Sequence, residues 1–263
     1  MARLGVYVYG IVRAERPVPP GIGGVGTPPL PLRVLTEGPV GAVVSAAPSK
    51  LRARRRDPLA HQELLLRLAE TGPVLPMRFG TVAPDEAAVR EQLAITGNRN
   101  RHLAALDQLA GRVEVNVRAL AAPDALAGLV REDRTIQGLR EEAHRRPGYE
   151  ANMRLGEAVL AALSRRAVEA GRHAVHELTP LAHAVVAGPR VSGCLLNTSF
   201  LVDRTAVDRF RTAAADFATL RHEHVVLRVA GPLPCYSFVP ERPRAGAGAP
   251  AGPLPAAGGE AEA

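Results

Sequence analysis

Two hydrophobic periods alternate along the chain, and each change of period marks an element. Val6-Tyr7-Val8-Tyr9-Gly10-Ile11-Val12 is uncharged and rich in β-branched and aromatic residues. It predicts a strand over 4–12 that is central and buried on both faces. Ten of the sixteen residues 17–32 are Pro or Gly, so a loop follows. Two β-like runs, 33–36 and 40–46, flank Glu37-Gly38-Pro39 and predict a hairpin. Asp57-Pro58 reads as an N-cap with Pro at the first helical position. That helix runs to Glu70 or Thr71, stops at Gly72, and shows Leu59, Leu65, Leu68 and Ala69 as its apolar face. A short extended piece, 74–82, is broken by Pro76. Helices follow from Pro84 to about Ile95 and over 99–110. Arg112–Leu120 then sets Val113, Val115 and Val117 against Glu114, Asn116 and Arg118, the alternation of a half-buried strand.

The second half opens with Ala- and Arg-rich helical sequence over 123–150, interrupted at Pro147-Gly148. A long helix is expected from Tyr149 to Ala170, with Leu155, Val159 and Leu163 on one face. Val175–Leu178 and Ala184–Val186 read as short strands and Ser192–Val202 as a longer one. Thr205 and Asp208 resemble a capping box ahead of a helix with the stripe Val207, Phe210, Ala214, Phe217. His224–Val229 is the last strand. The expected fold class is therefore α+β, with two domains related in element order. Residues 1–122 form the first, its helices on one face of a ferredoxin-like sheet, and 123–230 the second. Nine of the residues 241–263 are Pro or Gly, and that stretch reads as a disordered tail.

At 263 residues the chain is long enough to bury a core without disulfide or metal staples. The start lacks the cleavage pattern of a secretory signal, no run reaches the length of a membrane span, and the two cysteines suit a reducing compartment. A cytoplasmic protein is expected. The formal charge is +7, yet 32 of the 33 basic residues are Arg, as in proteins from GC-rich genomes. Nine aromatic residues and no Trp leave little to stack on bases, so nucleic acid is a secondary expectation, in the form of a basic regulatory protein.

Candidate chemistry is sparse. Gly21, Gly23 and Gly26 match a dinucleotide fingerprint in letters, but Pro28, Pro29 and Pro31 follow where a helix must start. His173 and His176, and His222 and His224, lack the further ligands of a zinc site and read as surface residues. Cys194 falls in an apolar strand pattern and reads as core, with Cys235 the more exposed thiol. No serine lies in a nucleophile elbow, and no pair of acids is set apart. No catalytic, metal-binding or cofactor residue is assigned, and no enzyme is expected. Arg52, Arg54, Arg55 and Arg56 form a basic patch ahead of the first helix. Two segments combine prolines with aromatics in a chain poor in aromatics: Leu75-Pro76-Met77-Arg78-Phe79-Gly80 and Gly231-Pro232-Leu233-Pro234-Cys235-Tyr236-Ser237-Phe238. Leu75, Pro76, Arg78, Phe79, Gly80, Pro232, Tyr236 and Phe238 are the structural or partner-contact candidates.

These segments carry a resemblance. Val6–Val12, His61 with Val74–Val82, Asn197-Thr198-Ser199-Phe200-Leu201-Val202 and Gly231–Val239 occur in the order found in the gas vesicle accessory proteins of the GvpL/GvpF family, which the chain resembles from about 4 to 239. It departs from the usual family pattern at Leu233, where Trp is common, and at Cys235, where Pro is frequent. The resemblance implies a non-enzymatic protein of gas vesicle formation with two α+β domains, the first ferredoxin-like. It further implies an extended segment, 231–240, that packs back between the domains. A place on the gas-facing side of the vesicle and binding to the major, small and hydrophobic shell protein are implied as well, with other accessory proteins as further partners and no cofactor or membrane.

Overall fold

The first sheet is organised by β1 (Val6–Arg13), which pairs antiparallel with β3 (Val40–Ala46) on one side and with β4 (Leu75–Pro76) and β5 (Val82–Ala83) on the other. β2 (Arg33–Glu37) closes the sheet as the hairpin partner of β3. In this computed structural model, residues 5–48, 56–123 and 125–239 are described. Arg52, Arg54 and Arg55 of the basic patch and the tail 241–263 lie outside the described residues.

Every residue from Val6 to Val12 is buried, as an uncharged β-rich run requires when both faces are covered. The two faces are sorted by a bulge. Val8 pairs with Val44 and Gly10 with Val43, leaving Tyr9 as the extra residue. Tyr7 and Tyr9 share one face by alternation, and the bulge lets Ile11 rejoin Val6 and Val8 on the other. Gly10 is required at the bulge: a Cβ there stands 2.7 Å from Val74 Cγ2 and 2.8 Å from the Leu75 carbonyl oxygen. The tyrosine face is covered by α1 (Arg56–Thr71) through Leu64, Leu65 and Leu68. The opposite face meets Val89 and Leu93 of α2 (Glu86–Ala94) and Leu106 and Leu109 of α3 (Thr96–Leu109). Helices thus cover both faces, not one, because β1 is apolar on both.

The strand β6 (Arg112–Ala121), expected to finish the first unit, belongs to the second sheet. It pairs with β8 (Leu196–Asp203) and β9 (Val225–Leu233), and β7 (Ala184–Ala187) completes the order β7-β8-β6-β9. Val113, Val115 and Val117 point at the helices of that half, which is why the strand joins them. With β6 counted in, the second unit runs β6, helix, β7, β8, helix, β9, the split β-α-β-β-α-β pattern. The first sheet has the same strand order, β4-β1-β3-β2, with the loop 14–32 in place of the first helix.

Asp85 caps α2 by accepting from the Ala88 amide. α4 (Ala125–Glu132) and α5 (Arg134–Arg145) bury Leu129 and Ile136 against Ala162 of the 30-residue α6 (Tyr149–Leu178). Val175–Leu178, expected as a strand, is the last turn of α6. The small-residue stripe Ala167, Ala170, Gly171, Ala174 and Leu178 keeps helical spacing and is buried. α7 (Val207–Leu220) buries the expected stripe Val207, Phe210, Ala214 and Phe217. Its N-cap is Ala206 with no side-chain bond, so the Thr205 cap does not form. β8 starts at Leu196, later than expected, because residues 192–195 form a turn. β9 continues four residues beyond the expected end, through Pro232, which an edge strand tolerates.

The α1 face also differs from the sequence reading. Leu59 is 58% exposed, whereas Leu64 and His61 are buried beside Leu65 and Leu68. Asp57 lies inside the first turn of the helix rather than before it. Leu64→Ala is expected to cost about 2–5 kcal/mol in urea unfolding, and Leu59→Ala to stay within about 0.5 kcal/mol. Equal costs would contradict this helix phase.

Candidate functional site

The two proline-aromatic segments are held by different buried polar groups. The first, 74–83, runs beside β1 as the broken edge β4–β5. The Met77 amide donates to the Tyr9 carbonyl at 2.8 Å, and the Val8 amide donates to the Thr81 carbonyl at 2.9 Å. Between them Arg78–Thr81 turns away from the sheet: the Thr81 amide and hydroxyl both donate to the Arg78 carbonyl, and Gly80 has a φ of +85°.

His61 fixes this turn from below. Its Nε2 is 3.0 Å from the Met77 carbonyl oxygen and its Nδ1 is 3.1 Å from the Tyr7 hydroxyl. A carbonyl only accepts, so Nε2 carries the proton and Tyr7 donates to Nδ1. The Tyr7 oxygen in turn accepts the Gly80 amide at 2.9 Å. Helix, strand and turn are thereby tied through one imidazole and one phenol, with every donor used. Burial lowers the His61 pKa below 6.5 and pushes Tyr7 up to about 12. Next to it, Tyr9 accepts from the Val25 amide at 2.7 Å and donates to Ser45 Oγ at 3.0 Å, since Ser45 gives its own proton to the Ala46 carbonyl. Phe79 is half-buried and meets His61 edge-on, with ring centroids 5.8 Å apart.

The second segment is held by Glu114 of β6, which is only 5% exposed. Its Oε2 accepts the Ser237 amide at 2.9 Å and its Oε1 accepts the Ser237 hydroxyl at 2.7 Å. Ser199 Oγ of β8 is 3.1 Å from the same hydroxyl. The chain leaves β9 at Leu233 and makes a single tight turn at Tyr236–Phe238. It is therefore strand, then turn, and not extended throughout. The turn drops Cys235 and Phe238 into the cluster that holds Val6, Val8 and Ile11 of β1, Leu106 and Leu109 of α3, and Leu201 of β8. Cys235, expected to be the more exposed thiol, is buried, and burial first and Glu114 second push its pKa up to about 12. Cys194 is half-buried in the turn before β8.

The structure brings Leu75 and Phe238 into one cluster between the sheets. Phe79 belongs to the other face of the first sheet. Pro76 is buried, while Arg78, Gly80 and Pro232 are exposed. Tyr236 is 38% exposed, although desolvation of its hydroxyl raises its pKa, with Tyr7 and Glu114 adding to the shift. Arg56 reaches the Gly-rich loop, donating to the Gly26 carbonyl at 2.9 Å and to the Thr27 hydroxyl. Glu114, Ser237 and Tyr7 were not singled out in the sequence. Glu114 carries no local signal, because the polar side of an alternating strand reads the same whether water or a serine faces it. Among the described residues no group of three or more His, Cys, Asp or Glu is placed to hold a metal ion. Among them, too, no helix is long and apolar enough to cross a membrane.

The family model for the gas vesicle synthesis protein GvpL/GvpF matches residues 5–240, a span that contains both segments and both sheets. The chain belongs to the GvpL/GvpF family. Within it, the chain is 42% identical over 242 residues to gas vesicle protein F of Streptomyces sp. (strain CB03234), covering 90% of this chain and all of that protein. Gas vesicle protein L of the same strain is 30% identical over 256 residues, covering 88% of this chain and 91% of that one. The fold matches the crystal structure of GvpF from Anabaena sp. PCC7120 with a TM-score of 0.74 at 22% identity, over 90% of this chain and 99% of that one. GvpF from Microcystis aeruginosa gives 0.70 at 22% identity, over 90% and 100%.

Two outcomes follow from the buried groups. Glu114→Gln and Ser237→Ala are each expected to cost about 1–3 kcal/mol, because a buried hydrogen-bonding partner is left short. In a double-mutant cycle by urea unfolding the pair costs less than the sum. Strict additivity would show that the two groups do not act together.

The second outcome is a pH dependence. Unfolded, the imidazole takes a proton near 6.5; folded, it does so only at lower pH. The stability it carries is therefore complete above 6.5 and declines as pH falls below it. The melting temperature is expected to drop between about pH 7.5 and pH 5.5, and to drop less in His61→Gln. Identical drops in the two proteins would remove His61 as the cause.

Proposed function

We propose that the protein is a non-enzymatic accessory factor of gas vesicle formation that binds the small hydrophobic shell protein and assists its assembly or nucleation. The observation that carries this reading is the family match, whose span, residues 5–240, takes in both sheets and both anchored segments. The higher identity to the F protein than to the L protein favours the F-type role. Each sheet, with its 4-1-3-2 strand order, is taken as one ferredoxin-like unit, and the Glu114-bound segment as the piece that joins them.

The physical task is protection. A small apolar shell protein exposes hydrophobic surface and unpaired strand edges before it is incorporated, and both drive aggregation. A rigid two-sheet protein offers edges and apolar surface that cover them. Buried tyrosines, a neutral imidazole and a bonded carboxylate give rigidity rather than catalysis, since each polar atom in these networks is spent on backbone or on another side chain. The protein acts in the cytoplasm on the forming vesicle, on its gas-facing side, alongside other accessory proteins.

The test is capture of untagged shell protein by the tagged full chain after co-expression, at low and moderate salt with nuclease present. Retention of the shell protein at both salts is expected. Its absence, with nucleic acid recovered once nuclease is omitted, would replace this reading with a nucleic-acid one.

A further inference from the structure

β9 is the last strand of the second sheet, and its outer edge is open. Among the described residues no backbone or side-chain group bonds it between Val226 and Pro232 from the side away from β6. An edge of this length is a template for another strand unless something blunts it. Leu227 and Val229 point toward the helices, and with Arg211, Ala214, Ala215 and Ala218 of α7 they line a groove of about 540 Å³ beside that edge. The alternate residues, Val226, Arg228 and Ala230, point to the opposite face and are exposed.

On that face Arg228 stands directly opposite Arg118 of β6. Both are exposed, and neither makes an ion pair or hydrogen bond among the described residues. Like charges directly opposed across an antiparallel pair are destabilising. A strand added to β9 places a residue beside Arg228 in the same row, where a carboxylate relieves the repulsion. The residues on either side of that carboxylate turn to the α7 groove, where the alanines leave room for apolar side chains. A second copy of this chain fits poorly: pairing β9 with β9 about Arg228 adds two more guanidiniums to the row.

We propose that the open edge of β9 and the groove along α7 form the docking site for one extended strand of the shell protein, read as apolar, acidic, apolar, with the acidic side chain at Arg228 and Arg118. This rests on the shell-protein reading above and assigns it a surface. Backbone pairing supplies affinity and the alternate side chains supply selectivity.

The experiment is the same co-expression capture, with nuclease present, using full-length Ala215→Trp, which fills the groove, and Arg228→Ala, which removes the charge. Leu160→Ser, at an exposed position on α6, serves as the comparison. At least a tenfold loss of retained shell protein is expected for the first two and none for the third. Thermal melts separate docking from folding: Arg228→Ala is expected to melt at or above the wild-type temperature, because it relieves a repulsion. A folded pair of variants that captures as well as wild type would overturn the site and leave the shell-protein reading standing. Wild type that captures nothing would overturn both. Capture that vanishes on nuclease treatment, or a wild-type dimer in sedimentation that Ala215→Trp converts to monomer, would assign the surface to nucleic acid or to a second copy and overturn the proposal.

Discussion

A carboxylate removed from water must be given hydrogen bonds, and Glu114 receives its two from a residue 123 positions later. That requirement shapes the rest of the molecule. Glu114 sits on the central strand of the second sheet, on the face away from its helices, at the end nearest the first sheet. To reach it with Ser237, the chain after β9 must turn back across the sheet. The same turn carries Cys235 and Phe238 into the apolar cluster built by β1 and α3. One buried charge thus sets where the chain's last described residues go, and their apolar neighbours cement the two sheets. Arg204, which donates to the Ala69 carbonyl at 2.9 Å, adds a second polar tie between the halves.

The first sheet solves a different problem with related means. β1 is apolar on both faces, so it has to be covered twice, and the phenols of Tyr7 and Tyr9 go into the core with it. Each phenol is satisfied by a backbone amide from a segment that has no regular structure of its own: Gly80 for Tyr7 and Val25 for Tyr9. The Gly- and Pro-rich loop and the Arg78–Thr81 turn are therefore positioned by the strand, not by their own periodicity. Strand alternation puts both rings on the side of α1, and the bulge at Tyr9 then returns Ile11 to the opposite face.

How far this was legible in the sequence depends on whether the signal was local. The hairpin, the stripes of α7 and the burial of β1 rest on short-range pattern and appear as expected. The Asp57-Pro58 start misled on the phase of α1, because Leu59 looks apolar while the face is decided by a buried histidine. The strand reading of Val175–Leu178 failed because a β-branched residue beside His176 and Leu178 resembles a strand in isolation; only the small-residue stripe back to Ala167 shows a helix. Assignment of β6 to a sheet was beyond local reading, since a strand that alternates cleanly fits either neighbour. In the candidate site, Phe79 and Phe238 stood out by scarcity of aromatics, but two of the groups that hold their segments, Tyr7 and Glu114, act through contacts 73 and 123 residues apart.

The two units end with unequal surfaces, and this asymmetry follows from the packing. In the first sheet both faces are covered by helices, and the edge beside β1 is filled by β4 and β5. In the second sheet the helices cover only one face, and the first unit and the Glu114-bound turn cover only the Glu114 end of the other. What remains is the far end, where Arg118 and Arg228 face each other and β9 has no outer neighbour. At β9 an open backbone edge and two opposed guanidiniums thus lie together. On the proposed shell-protein reading, that coincidence makes this end of the sheet the place where an added strand gains both backbone bonds and charge relief.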